Sequence, residues 1–107
     1  MKNREIDYLI ATKVMGWEDN GTPFYGVDGE RVASKEYFNP SDNIQDAWKV
    51  VEKLRKQMIM IDVTTSESCY YATVRHQGKG IISRGVKSET APLTICKTAL
   101  KVHGISV

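Results

Sequence analysis

Residues 58–86 read MIMIDVTTSESCYYATVRHQGKGIISRGV, and the reading of this stretch decides the fold. Just upstream, apolar residues recur at helical spacing; from Met58 onward the period drops to two. MIMIDVTT (58–65), CYYATVR (69–75) and KGIISRGV (79–86) are each rich in β-branched or aromatic residues, and Ser66–Ser68 and His76–Gly78 supply polar or glycine connections. Three short strands so closely spaced predict an antiparallel meander, because a parallel pair needs a long crossover.

Working outward, FNPSDNIQDAWKVVEKLRKQ (38–57) predicts a helix. Pro40 disfavours helical backbone at Asn39, Ser41 offers an N-cap, and Asp42 sits where the helix dipole favours an acid. Ile44, Ala47, Trp48, Val51, Leu54 and Met58 form its expected buried stripe, with Asp46, Lys49, Glu52, Lys53 and Lys56 outside and Glu52–Lys56 as an i, i+4 pair. Downstream, SETAPLTICKTALKVHG (88–104) predicts a helix capped by Thr90 or Ser88, with Pro92 in the first turn. Ile95, Cys96, Ala99, Leu100 and His103 make its stripe, and Gly104 ends it.

At the N-terminal end, Ile6, Leu9, Ile10 and Val14 predict a helix over residues 3–15, with Asn3 as its cap. Gly16 suits the left-handed residue that stops it, and Trp17 then falls where a hydrophobic contact back onto the last turn is common. EDNG (18–21) reads as a polar turn. Residues 22–27 and 30–34 read as a short ribbon around Asp28-Gly29. The predicted order is αββαβββα: one α+β domain over residues 1–107, an antiparallel β-sheet with helices packed around it.

Size and charge bound the function. A chain of 107 residues supports one modest core. Fifteen Lys and Arg against 13 Asp and Glu give a net charge of +2, too balanced to call for nucleic acid, so an anion site requires local clustering. No apolar run is long enough for a membrane span and no signal peptide is evident, so the expected location is cytoplasmic. Cys69 and Cys96 lack CxxC spacing and read as free thiols, with a disulfide or metal pair as the alternative. The two histidines, His76 and His103, form no metal pair. No serine sits in a GxSxG elbow, and HQGKG (76–80) lacks the spacing of a phosphate loop. The expectation is a protein that is not an enzyme and uses neither metal nor cofactor.

Three blocks, NREIDYLIATKVMGW (3–17), FNPSDNIQDAWKVVEKLRK (38–56) and ETAPLTICKTALK (89–101), resemble in order the phage ABA sandwich domain family, small proteins encoded by phages and prophages of bacteria. The resemblance implies a central sheet between helical layers and carries no settled catalytic residues. It places the chain in the cytoplasm of an infected bacterial host.

One cluster invites a functional reading. Asp and Glu are absent from residues 68–88, where Arg75, His76, Lys79, Arg84 and Lys87 gather near Tyr70 and Tyr71. Guanidinium forks grip phosphate oxygens and aromatic rings stack on bases. The expected activity is binding and sequestration of a nucleotide-derived signal of bacterial anti-phage immunity, of cyclic nucleotide or cyclic ADP-ribose type. Arg75, His76, Lys79 and Arg84 would meet phosphates, and Tyr70 or Tyr71, with Trp17, Phe24 or Tyr25, would stack. The alternative is an oligomeric protein–protein interaction module without a small-molecule ligand, motivated by GTPFYGV (21–27). A homo-oligomer is expected under either reading.

Overall fold

The computed structural model describes residues 2–19, 24–25, 31–33, 38–76, 80–84 and 86–105. Its order is helix α1 (Asn3–Leu9) running into a π turn (Ile10–Val14), strands β1 (Glu18–Asp19), β2 (Phe24–Tyr25) and β3 (Arg31–Ala33), helix α2 (Ile44–Lys56), strands β4 (Ile59–Thr65), β5 (Tyr70–His76) and β6 (Gly80–Arg84), and helix α3 (Ala91–Val102). This is the predicted α+β class with one strand more: αβββαβββα. The addition is Glu18–Asp19, expected within a turn but paired antiparallel with Tyr25 and Phe24. Even a two-residue polar strand forms when a neighbour satisfies its backbone groups.

The two sheets are separate and antiparallel, β1-β2-β3 and β4-β5-β6. In the second, Ile61 faces Val74 and Val63 faces Ala72, so one face is apolar. Ile61 and Ala72 are buried there, with Ile59 and Val63 packed against the same core. Helix α2 lies on β4, α3 lies chiefly on β5, and α1 with its π turn packs against α3 and α2. The helices contribute Ile6, Ile10, Ala11, Val14, Ala47, Val50, Leu54, Ile95, Cys96, Ala99 and Leu100 to the core, and Phe38 joins them. Burying each large aliphatic side chain contributes roughly 1.5–3 kcal/mol.

The first helix does not end as a regular α-helix. The Met15 N–H donates to the Ile10 carbonyl at 2.9 Å, and the Trp17 N–H reaches the Ala11 carbonyl at 3.0 Å. Gly16 has φ +73°, the left-handed stop expected of it. The closing bond spans one residue more than an ordinary glycine-stopped terminus, and the wider π turn accommodates the addition. Helix α3 ends in the ordinary way: Gly104 (φ +78°) donates to the Lys101 carbonyl at 3.0 Å and Ile105 to that of Leu100 at 2.9 Å.

Three expected details are corrected. Helix α1 begins after Lys2, with no side-chain cap from Asn3, which is already helical. The cap of α2 is Asn43, whose Oδ1 accepts from the N–H groups of Gln45 (2.9 Å) and Asp46 (3.1 Å), in place of Ser41. Ser41 is buried and used elsewhere. Its N–H donates to Asp7 Oδ1 at 2.8 Å, while Asp46 Oδ2 accepts the Asn39 N–H at 2.9 Å, so carboxylates from two helices clamp the turn before α2. The stripe of α2 is also displaced. Ala47, Val50 and Leu54 are its buried centre, whereas Ile44, Trp48 and Met58 are exposed. Helix α2 must approach both α3 and β4, and small or aliphatic side chains allow that approach where an indole would not. Thr90 caps α3 as anticipated, accepting from the Leu93 N–H at 3.3 Å. Its alternative, Ser88, instead exchanges backbone hydrogen bonds with Tyr70.

Candidate functional site

Strand register sorts the predicted ligand contacts onto two faces. Residues directly opposed across an antiparallel pair share a face. Met60–Arg75–Ile81 form one row across β4-β5-β6, Asp62–Thr73–Arg84 the next, and Thr64–Tyr71 a third. Tyr71, Arg75 and the strand position of Arg84 therefore fall on one face, opposite the face bearing Ile61, Val63, Ala72 and Val74. Tyr70 and His76, aligned with Thr65 and Ile59, belong to the apolar face. The alternation of Tyr70 and Tyr71 that the sequence implies is present, with Tyr71 the more exposed.

A break in register between Val74 and Arg75 gives β6 an extra residue there. Arg84 lies opposite Thr73, between the rows of Arg75 and Tyr71. Diagonal neighbours on a sheet lie roughly 7–8 Å apart, within reach of long side chains. Arg75 is already engaged: its Nε and Nη2 donate to Oδ2 and Oδ1 of Asp62, the latter at 3.1 Å. This two-pronged pair fixes the guanidinium plane, and the Asp62 hydrogen bonds and charge hold its pKa above the ordinary arginine value.

The other expected contacts are distributed elsewhere. Trp17 is half-buried, its ring centroid 4.7 Å from that of Phe38 at an interplanar angle of 60°, and it packs against the core. That position matches the packing role read from Gly16-Trp17. Phe24 and Tyr25 lie in β2, a different sheet, with side chains outside the described residues. Lys79 is likewise outside them, as is the side chain of Arg84.

A second feature was not anticipated. An open groove of about 360 Å³ runs along α2, with Met15, Trp48, Lys49, Glu52, Lys53 and Lys56 among its lining residues. Trp48 is 56% exposed and Ile44, one turn earlier, 48%. The sequence held a signal for this: α2 has apolar residues over too wide an arc for one stripe, so either Ile44–Trp48 or Val50 had to lie away from the core centre.

Around the clamped turn, two titratable groups depart from their ordinary behaviour. Burial pushes the Asp7 carboxyl up, and nearby Asp46 adds to this, against the lowering effect of the Ser41 N–H. The Ser41 hydroxyl lies near enough to favour the ionised form but makes no hydrogen bond of ordinary geometry. Burial, with the charges of Asp7 and Asp46, pushes the Cys96 thiol far up, so this cysteine is inert rather than nucleophilic. Among the described residues no group of three metal-ligating side chains converges, and no helix is long and apolar enough to cross a membrane.

An α+β domain with helices on an antiparallel sheet is the class defined by this fold. Over residues 8–100 the sequence matches the phage ABA sandwich domain family, and the chain belongs to it. It is also similar to a phage protein from Bacillus cereus ATCC 14579 of known crystal structure, at 39% identity over 94% of this chain and 90% of that one, with a TM-score of 0.69. No curated protein matches the chain.

Proposed function

We propose that this protein binds and sequesters a small nucleotide-derived signalling molecule of bacterial anti-phage immunity, without turning it over, in the cytoplasm of the infected host. One observation carries the reading: register places Tyr71, Arg75 and Arg84 on the same face of β4-β5-β6. Arg75 and Arg84 meet phosphate oxygens, Tyr71 stacks on a base or adenine-like ring, and Lys79, from the β5–β6 connection, adds a further cation, whereas His76 and Tyr70, on the opposite face, are left out of the contact. Asp62 holds Arg75 in a fixed plane when no anion is present, and a phosphate competes for the same fork. Membership in a phage protein family supports the setting.

Titration of the folded protein with cyclic nucleotides and cyclic ADP-ribose isomers, followed by calorimetry and thermal shift, tests the proposal. A ligand should raise the melting temperature of the wild type and bind at least tenfold more weakly to Arg84→Ala and Tyr71→Ala. Asp62→Asn, which frees the Arg75 fork, should bind more tightly. No shift with any member of the panel overturns the reading. A second reading, an oligomeric interaction module, is favoured by a separate observation: the outward pair Ile44 and Trp48 on α2.

A further inference from the structure

We infer that the exposed face of α2 is a docking surface for an acidic segment of another protein, one carrying a large apolar or aromatic anchor. The inference takes the interaction face of the second reading but assigns it to a different protein rather than to a second copy of this chain, and it is independent of any ligand on the sheet. Ile44 and Trp48 lie one turn apart, each with about half its surface in water, although the same helix buries Ala47, Val50 and Leu54 completely. Tryptophan is the residue most often found at the energetic centre of protein interfaces, and methionine beside it adapts to irregular partners. Met15, immediately after the π turn, lines the same groove as Trp48. The residue that closes the π turn thus contributes to a surface otherwise built by α2.

Charge selects the occupant. Lys49, Lys53 and Lys56 line the groove, with Glu52 its one acid among the described residues. Glu52 is within 3.4 Å of Arg55, and Lys49 within 3.3 Å of Asp46. Among the described residues Lys53 and Lys56 have no carboxylate partner. The helix dipole explains basic residues in the last turn of α2 but not an exposed indole one and a half to two turns earlier. A second copy of this face would set lysines against lysines, whereas an acidic segment meets them with complementary charge while its anchor covers Trp48. A whole-chain charge of only +2 makes the local excess a property of this face.

Selection from a display library of random twelve-residue peptides on the immobilised full chain tests the inference. Selected peptides should be enriched in Asp and Glu with a Trp, Phe or Leu anchor. Their synthetic forms should shift the fluorescence of Trp48 and lose at least tenfold in affinity for Trp48→Ala. The double variant Lys53→Glu/Lys56→Glu should lose the acidic peptides and, reselected, prefer basic ones. Selected peptides without acidic enrichment, or binding Trp48→Ala as tightly as the wild type, would overturn it. So would a twelve-nucleotide oligothymidylate that binds at Trp48 more tightly than any selected peptide. A dimer seen by ultracentrifugation and dissolved by Trp48→Ala would also overturn it, while supporting the broader interaction-module reading. The same variants should leave any thermal shift by the nucleotide panel unchanged.

Discussion

Met58 is the one non-glycine among the described residues with positive φ, +65°, directly after α2. Its N–H donates to the Arg55 carbonyl at 3.0 Å, so the position acts as a left-handed helix stop filled by a residue with a Cβ. That conformation costs a side-chain-bearing residue about 1–2 kcal/mol, and Met58 is 51% exposed, so little packing offsets it. Met58→Gly should therefore stabilise the protein by about 0.5–1 kcal/mol after the extra entropy of glycine in the unfolded chain. The expected rise in melting temperature is roughly 2–6 °C; a decrease would show that the Met58 side chain packs more productively than its exposure suggests. Asp7 makes a pH-dependent prediction. Its folded pKa lies above the ordinary value of 3.8, so the folded state holds a proton that the unfolded chain releases. Stability from this group is therefore present below pH 3.8 and lost as pH rises through the raised value. Asp7→Asn keeps an acceptor for the Ser41 N–H and removes the titration. Denaturant melts of both proteins should show the variant gaining relative to the wild type as pH rises from about 4 to 7. A difference that is flat with pH would refute the shift.

At the scale of elements, the start of α2 separates the sequence reading from the structure. Ser41 has the chemistry of a cap, but Asn43 occupies the position, with extended backbone (φ −111°, ψ 118°) and its side chain over the first turn. Asn43→Ala should cost about 1 kcal/mol, the usual value of a lost cap. Ser41→Ala should be close to neutral, because its hydroxyl has no hydrogen bond of ordinary geometry while its backbone N–H still reaches Asp7. Reversed magnitudes in thermal melts would return the cap to Ser41. Helix α3 shows a related effect. Thr94 Oγ1 donates to the Tyr70 carbonyl at 3.2 Å, and Thr98 Oγ1 accepts the Val86 N–H at 3.0 Å. Two polar residues outside the predicted stripe thus join the helix to β5 and to the segment that follows β6, and both are fully buried. Hydrophobic period alone cannot show this, since a buried hydroxyl is stable only where tertiary structure supplies its partner.

Across the whole molecule, the two cysteines report different depths. Cys96 is completely buried at the meeting of α1, α2 and α3, whereas Cys69 lies in the β4–β5 turn with its thiol 3.2 Å from Ser66 Oγ. A thiol reagent should label Cys69 readily in the native protein. It should reach Cys96 only at the rate at which the core opens, so labelling should accelerate with denaturant in parallel with loss of global stability. Rapid native labelling of both would mean that the helical layer opens locally.

Residue order alone determined the helix–strand alternation, the meander of β4 to β6, the two glycine stops and the free-thiol reading of the cysteines. Each depends on local backbone preference or on a period measured within one segment. The π turn, the Asn43 cap, the clamping of residues 39–41 by Asp7 and Asp46, and the outward position of Trp48 were decided only by tertiary structure. These depend on which surfaces of separate elements meet, and α2 carries an apolar arc wide enough to meet its neighbours in more than one rotation. The candidate ligand residues divide in the same way. Alternation within β5 separates Tyr70 from Tyr71, but only the pairing with β4 and β6, including the extra residue opposite Val74 and Arg75, sets the strand position of Arg84 opposite Thr73 on the Arg75 face and gives Arg75 its Asp62 partner.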